Sequence, residues 1–372
     1  MELLFCELIQ VAICRRDSLS RVPSAEEWKG LFALARMQTL AGVCFYGVQR
    51  LPKEQIVEMP VQLKMQWLAI TSQIQRQNEV LNKRCAELSR RLTESGFACC
   101  LLKGQGVARL YDFNDNVNDN VNVNLNNKLE LYRQCGDIDM WVKAEPEKVI
   151  AWARMTGKLK SFDYHHADVR LFPDVEVELH YRPSISRNLV RNARMQRWFK
   201  ESGSEHIVYD EALDCNVPDW TFNIVLCLNH IFCHLLFEGV GLRQLMDFYF
   251  VLKASPLPSP EREGVIKLIR RFRLMRFASA VMWVLENTFA LESMYLLCDP
   301  DEKAGRFLLE EILRAGNFGH YDERLKGART GGRMRLFGRW MKHSMRLIRH
   351  YPIDVLWTPV GIFWISMWRR TH

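Results

Sequence analysis

Asp137 and Asp139 are separated by one apolar residue, Ile138, and followed by the apolar run Met140, Trp141 and Val142. In an extended strand side chains alternate between faces, so the two carboxylates project to one side and Ile138, Met140 and Val142 to the other. Like charges on one face repel, and a cation between them relieves that cost, which makes the pair a candidate divalent-metal site. A third carboxylate comes from residues 175–182, where Val-Glu-Val-Glu-Leu-His alternates strictly: Glu176, Glu178 and His180 share one face, and Val175, Val177 and Leu179 the other. Upstream, an apolar run over 97–102 reads as a buried strand that ends in Lys103-Gly104, and residues 105–111 read as the start of a helix. Strand, glycine turn and helix start form an arrangement in which backbone N–H groups face a phosphate, although many such turns only connect elements.

These residues need a body to hold them. The chain has 372 residues, 48% of them hydrophobic, enough for two or three cores in a globular protein. Its net charge of +8 is a mild basic excess that suits phosphate-bearing ligands, nucleic acid or an acidic membrane face without choosing among them. The 11 cysteines are odd in number and irregularly spaced, so we expect reduced thiols in a cytoplasmic protein and no disulfide scaffold. Glu2 and Glu7 stand where an export signal would be basic, and Arg15-Arg16 follows the apolar part, so the N-terminus reads as an amphipathic helix. No stretch reaches the roughly 18 uninterrupted apolar residues of a membrane span. Residues 351–368 come nearest and are interrupted by Pro352, Asp354 and Pro359.

Four regions follow in order. Residues 1–94 read as an N-terminal helical region, with Ser24 as the N-cap of a helix carrying Trp28, Leu31 and Phe32. A long helix from Val61 to Glu94 completes it, of roughly eight or nine turns. Residues 95–184 read as an α/β core with an Asn-rich insertion at about 112–127. Asn and Asp compete with both helix and sheet ladders, so the insertion is expected to be an exposed loop without chemistry. Within the core, a helix over 145–156 opens on Pro146 and closes at Gly157, and strands over 167–172 and 175–182 are joined by Pro173-Asp174. From about Ile185 the pattern turns helical and stays so: residues 185–300 read as a helical domain with a proline linker at Pro256, Pro258 and Pro260, and residues 301–372 as a basic, aromatic-rich helical tail. The expected class is α+β, a small mixed β-sheet flanked by N-terminal helices and a mostly α-helical C-terminal region.

A strand ending in a Lys-Gly turn, a strand with Asp-x-Asp and a strand with alternating Glu come in the order in which a metal-dependent nucleotidyl-transfer site is assembled. That chemistry asks for two cations about 3.5–4 Å apart that serve the attacking and leaving oxygens of an in-line displacement. Leu101-Leu102-Lys103-Gly104, Arg133-Gln134-Cys135-Gly136-Asp137-Ile138-Asp139-Met140-Trp141-Val142 and Val177-Glu178-Leu179-His180-Tyr181-Arg182 resemble the bacterial family of uncharacterised nucleotidyltransferases, within the DNA-polymerase-beta-like superfamily, over roughly residues 25–300. The resemblance implies a small mixed sheet as catalytic core, with Asp137, Asp139 and Glu178 as catalytic ligands of Mg2+ or Mn2+. It implies that Lys103, Gly104 and Gln105 form the turn that meets the triphosphate of an NTP, with Arg133 as a further nucleotide-binding residue. The reaction implied is transfer of a nucleoside monophosphate to a hydroxyl of an acceptor, whether small molecule, protein or RNA.

Two other readings stand beside this one. The fold could persist without turnover as a nucleotide- or partner-binding module, a reading that draws on Gln105, where the superfamily usually has Ser or Gly, and on the Asn-rich interval. Residues 324–368 could instead contact RNA or anionic lipid, since Arg324, Lys326, Arg329, Arg333, Arg335, Arg339, Lys342, Arg346 and Arg349 recur with no acid among them. The simplest reading of that basic segment is a solvated helix face. His230 and His234 lie four apart on one helix face, but without a glutamate after His230 or an evident third ligand they read as core or hydrogen-bonding histidines and not as a zinc site. By resemblance, these histidines and Asp247 help to shape the substrate cleft.

Overall fold

A computed structural model describes residues 1–111, 128–255, 260–322, 324 and 341–371. The Asn-rich insertion and most of the basic segment therefore lie outside the described residues. The N-terminal helices are α1 (Glu2–Ala12), α2 (Ala25–Met37), α3 (Ala41–Arg50) and α4 (Val61–Glu94). Helix α2 starts where the sequence places it: Ser24 Oγ accepts the Glu27 amide at 3.3 Å, and the Glu27 carboxylate accepts the Ser24 amide at 3.0 Å. Helix α4 runs 34 residues and buries Leu63, Trp67, Thr71, Ile74, Asn78, Leu81, Cys85, Leu88 and Leu92, a stripe at three- and four-residue spacing.

The sheet has the order β1-β2-β5-β4-β3, from β1 (Cys99–Leu102), β2 (Ile138–Val142), β3 (Leu159–Phe162), β4 (His166–Val169) and β5 (Val177–His180). Only the β2–β5 pair is parallel, and its crossover carries α6 (Pro146–Met155), with Pro146 in the first turn. The two faces of the sheet build two cores. Cys99, Leu101, Ile138, Met140, Val142, Val177 and Leu179 pack with Leu81, Cys85 and Leu88 of α4 and Val149, Ile150 and Ala153 of α6. On the opposite face Cys100, Leu102 and Trp141 join the larger helical core. Each fully buried Leu, Val or Phe in these layers contributes about 1.5–3 kcal/mol by leaving water.

After short α5 (Gly104–Ala108), the remaining helices are α7 (Leu189–Glu201), α8 (Trp220–Phe237), α9 (Leu242–Lys253), α10 (Pro260–Arg271), α11 (Met275–Phe289), α12 (Glu302–Ala315) and a C-terminal helix, Pro352–Thr371. The larger core joins Phe5 and Leu8 of α1 to Phe277 and Leu285 of α11, and Gln10 Nε2 donates to Thr288 O at 3.1 Å. Helix α8 is the only described helix long and apolar enough to cross a membrane, and 67% of it is buried inside the protein. All eleven cysteines are free thiols.

Two expectations are corrected. The region after Ile185 is not purely helical: β6 (Ile207–Asp210) and β7 (Cys215–Pro218) form an antiparallel hairpin, whose turn is held by Leu213 N donating to Asp210 Oδ1 at 2.9 Å, and Asn216 Nδ2 ties the hairpin to Cys99 O at 3.1 Å. Its strands are four residues each, too short to announce themselves against the helical pattern on either side. The basic segment is not a wholly solvated face either. Arg324 pairs with Glu311 at 2.8 Å and Asp322 at 2.8 Å, and Arg346 reaches the same acids at 3.4 Å and 3.3 Å, because the fold brings acids from α12 and its following turn against the arginines.

Helix α3 approaches the turn 129–132 so closely that a Cβ on Gly42 would stand 2.2 Å from Tyr132 O. Gly42→Ala is expected to cost about 1–3 kcal/mol, because backbone cannot retreat as a side chain can. Gly264→Ala in α10, where nothing lies within 4 Å, is expected to gain about 0.5–1 kcal/mol. Denaturant melts of the two variants check both signs.

Candidate active site

Asp139 lies opposite Glu178 across the parallel β2–β5 pair and opposite Leu102 across the β1–β2 pair. Lys103 follows Leu102 directly, so the register delivers an ammonium to the carboxylate: Lys103 Nζ stands 2.8 Å from Asp139 Oδ1. Its backbone is held at φ 43 and ψ −151, a conformation that non-glycine residues avoid, and Gly104 continues it at φ 42. His180 lies opposite Trp141 on one side and His166 on the other. Its Nε2 bonds Asp139 Oδ1 at 2.9 Å and Glu178 Oε2 at 3.1 Å. Asp137, two residues before Asp139, lines the same cavity.

The charges are unequally compensated. Burial would raise Asp139, but Lys103 and His180 hold it well below the usual carboxylate range. Glu178 is likewise lowered, against burial, by its bond to His180. Asp137 has no such partner; burial and the charges of Asp139 and Glu178 push it up to about 6. Burial disfavours charge on His180, but its two carboxylate partners prevail and push it up to about 9. His165 and His230 have no such partners, and burial holds them well below the usual imidazole value.

These groups line a cavity of about 890 Å3 between the sheet, α8, α9 and the C-terminal helix. Of the residues expected from sequence, Lys103, Gly104, Arg133, Asp137, Asp139 and Glu178 border it, as do His230, His234 and Asp247. Gln105 does not: it is buried, and its Nε2 donates to Asn82 Oδ1 of α4 at 2.6 Å. Arg133 borders the cavity with its guanidinium already closed on Asp247, Nε to Oδ1 at 2.7 Å and Nη2 to Oδ2 at 2.8 Å, while Tyr111 donates to Asp247 Oδ1 at 2.7 Å. Glu176 points away and pairs with Lys160 at 3.3 Å. Ring centroids of His230 and His234 are 4.3 Å apart, and among the described residues no third ligand joins them.

Sequence reasoning passed over His165, His166 and Arg243. Arg243 Nη1 donates to Gln134 O at 3.0 Å, and its Nε is buried without a partner. It stands four residues before Asp247 on α9, and that spacing is the signal the sequence offers. His165 and His166 adjoin the strand that faces Glu178, and a ring nitrogen of each lies 2.9 Å from the other.

The family described as uncharacterised nucleotidyltransferases matches residues 24–115 and 131–290. The chain belongs to this family. The match skips 116–130, so it breaks within the Asn-rich insertion and resumes before Arg133, and it includes Lys103, Arg133, Asp137, Asp139, Glu178, His180, Arg243 and Asp247. The chain has no match among curated proteins or solved structures.

A nucleotidyltransferase takes an NTP and generally a divalent cation, and the donor set fits one. Ligand atoms of Asp139, Glu178 and His180 lie within 4.8 Å of one another, and Asp137 adds an under-compensated carboxylate. Carboxylate oxygens suit Mg2+ or Mn2+, and His180, which bonds both Asp139 and Glu178, fixes the carboxylates in place. Lys103 and His180 share Oδ1 of Asp139, which leaves Oδ2 for a cation.

The elevated Asp137 makes a pH-dependent claim. Between about 3.8 and about 6 the folded protein keeps a proton that the unfolded chain has lost, so this group's contribution to stability falls as pH rises through that window. In metal-free thermal melts Asp137→Asn is expected to lack that decline, gaining Tm over the parent more at pH 7 than at pH 4.5. An equal gain at both pH values would contradict the raised carboxyl.

Proposed function

We propose that the chain transfers a nucleoside monophosphate from an NTP to a hydroxyl of an acceptor, with a divalent cation held by Asp137, Asp139 and Glu178. The observation that carries the reading is the register pair: Asp139 opposite Glu178 on parallel neighbours, with Lys103 Nζ 2.8 Å from Asp139 on the cavity wall. A bound cation of this class neutralises charge on the triphosphate and makes the acceptor hydroxyl a better nucleophile. The side chains supply position. Lys103 borders both the carboxylates and the cavity, so its ammonium meets the non-bridging phosphate oxygens. Arg243 brings a second cation with an unused donor to the same end, beside Gly136 and Asp137. His180 fixes Asp139 and Glu178 relative to each other by bonding both. The acceptor hydroxyl gives its proton to solvent as its oxygen forms the bond to the α-phosphorus, the bond from that phosphorus to the oxygen bridging to the β-phosphate breaks, and pyrophosphate leaves with that oxygen.

A binding module without turnover is the second reading. What favours it is that Gln105 and Arg133 are bonded to Asn82 and Asp247, away from any nucleotide. Purified protein incubated with labelled NTPs, Mn2+ and a cell extract separates the two. Transfer of label with release of pyrophosphate is expected, falling by roughly a hundredfold or more in Asp139→Asn. Transfer that persists unchanged in that variant sinks the enzymatic assignment; calorimetric NTP binding without pyrophosphate release supports the module, and no NTP binding counts against both.

A further inference from the structure

We propose that the end of the cavity walled by the C-terminal helix is the acceptor subsite, and that it takes a small molecule carrying a phosphate or carboxylate, gripped by Arg187. The assignment rests on the nucleotidyl-transfer reading of the carboxylate end.

Arg187 lines the cavity with its guanidinium carbon 3.0 Å from the centroid of the Phe237 ring. Its Nη1 is buried without a hydrogen-bond partner, and among the described residues it forms no ion pair. Two other arginines, both more deeply buried, already have partners. Arg133 is closed on Asp247, and Arg191, four residues after Arg187, donates to Phe272 O at 2.7 Å and pairs with Asp354. The acids that face Arg187 are Glu238 and Asp163. Glu238 stands 3.3 Å from His234 Nδ1, and Asp163 Oδ1 accepts the Tyr164 amide at 2.6 Å. A partly buried guanidinium with an unused donor is a binding group for an oxyanion, since its planar fork matches carboxylate and phosphate oxygens.

The helix that closes this end is pressed onto Arg187 itself. A Cβ on Gly361 would lie 2.4 Å from Arg187 O, so only glycine permits the approach. Trp364 and Trp368 pack edge-on against Tyr164 at 4.6 Å and 5.5 Å, and Arg182 lies 4.1 Å from the Tyr164 ring and 5.3 Å from that of Trp368. The docked helix adds Arg369 and Arg370 to the cavity wall, and neither forms an ion pair among the described residues. One cavity thus holds the Asp137, Asp139 and Glu178 cluster and, where the C-terminal helix closes it, Arg187, Arg369 and Arg370, with Glu238 and Asp163 beside Arg187. Its volume of about 890 Å3 is within the range of small-molecule sites, about 300–1,000 Å3. The triphosphate has its own cations, since Lys103 contacts Asp139 and Arg243 Nη1 lies 3.9 Å from where a Cβ on Gly136 would be. A polycationic acceptor would meet the arginines at like charge.

The test is equilibrium dialysis of the full chain against labelled inorganic phosphate, with binding of Mn2+·NTP measured in parallel. Arg187→Gln is expected to weaken phosphate binding at least tenfold and to keep Mn2+·NTP binding. The exposed double variant Arg369→Gln/Arg370→Gln, which leaves the buried contacts of the helix intact, is expected to weaken phosphate several-fold, and it carries the test if Arg187→Gln does not fold. Competition by succinate separates a carboxylate site from a phosphate-specific one, and either result supports the anion subsite. Parental phosphate affinity in both variants overturns the proposal. Loss of Mn2+·NTP binding together with phosphate in a folded Arg187→Gln overturns it too, by assigning the arginine to the triphosphate. If the parent binds phosphate through Arg187 but no NTP at all, the nucleotidyl-transfer reading fails and the acceptor label with it.

Discussion

Three carboxylates crowded onto one sheet face are the constraint on which this structure turns. Parallel pairing puts Asp139 beside Glu178 with no freedom to separate, and Asp137 follows from the strand's two-residue period. The protein compensates two of the three, with Lys103 and His180 meeting on Asp139 and His180 reaching Glu178 as well. The third carries the remaining repulsion: burial and the charges of Asp139 and Glu178 push its carboxyl up. Uncompensated carboxylate charge on a cavity wall is the environment in which a cation would be favoured.

Holding that cluster takes more of the chain than the sheet. Asn78 in the middle of α4 is fully buried and donates to Leu131 O and Arg133 O, both at 2.8 Å, which pins the turn leading into β2. The same turn is pressed by α3 at Gly42 and closed from the other side by the Arg133–Asp247–Tyr111 network, which ties it to α9. A buried ion pair of this kind adds little net stability but leaves a costly stranded charge if either partner is lost, so it serves to hold one geometry. Arg133 thus positions the aspartate strand. Arg243, a turn earlier on α9, borders the cavity and keeps its buried Nε unpartnered.

Much of the site was legible in the chain because strand alternation is a local rule. Asp137 with Asp139, and Glu178 with His180, were placed on common faces by period alone, and Ile138, Met140, Val177 and Leu179 are indeed in the opposite core. The stripe of α4 and the capping box at Ser24 were readable for the same reason, each being decided within a few residues. The short β6–β7 hairpin and β3 were not, since four-residue strands carry too few alternations to outweigh their surroundings. Nor could spacing reveal that the acids of α12 and its turn meet Arg324 and Arg346.

What the sequence determined by itself was the identity of the chemistry: the oxygen donors, their common face, the lysine at the end of the preceding strand, and the family that these motifs mark. What only the tertiary structure decided was which polar groups are already spoken for and which are open. Gln105 turns to Asn82 and Arg133 to Asp247, while Arg243 and Arg187 keep donors unused. Those assignments depend on partners more than 20 positions away along the chain, 114 for Arg133 and Asp247. Local periodicity fixes the direction of a side chain within its own element, but the competitor for its hydrogen bonds is brought by packing. The last wall of the cavity came from the C-terminal helix for the same reason, docked where Gly361 lets two backbones meet.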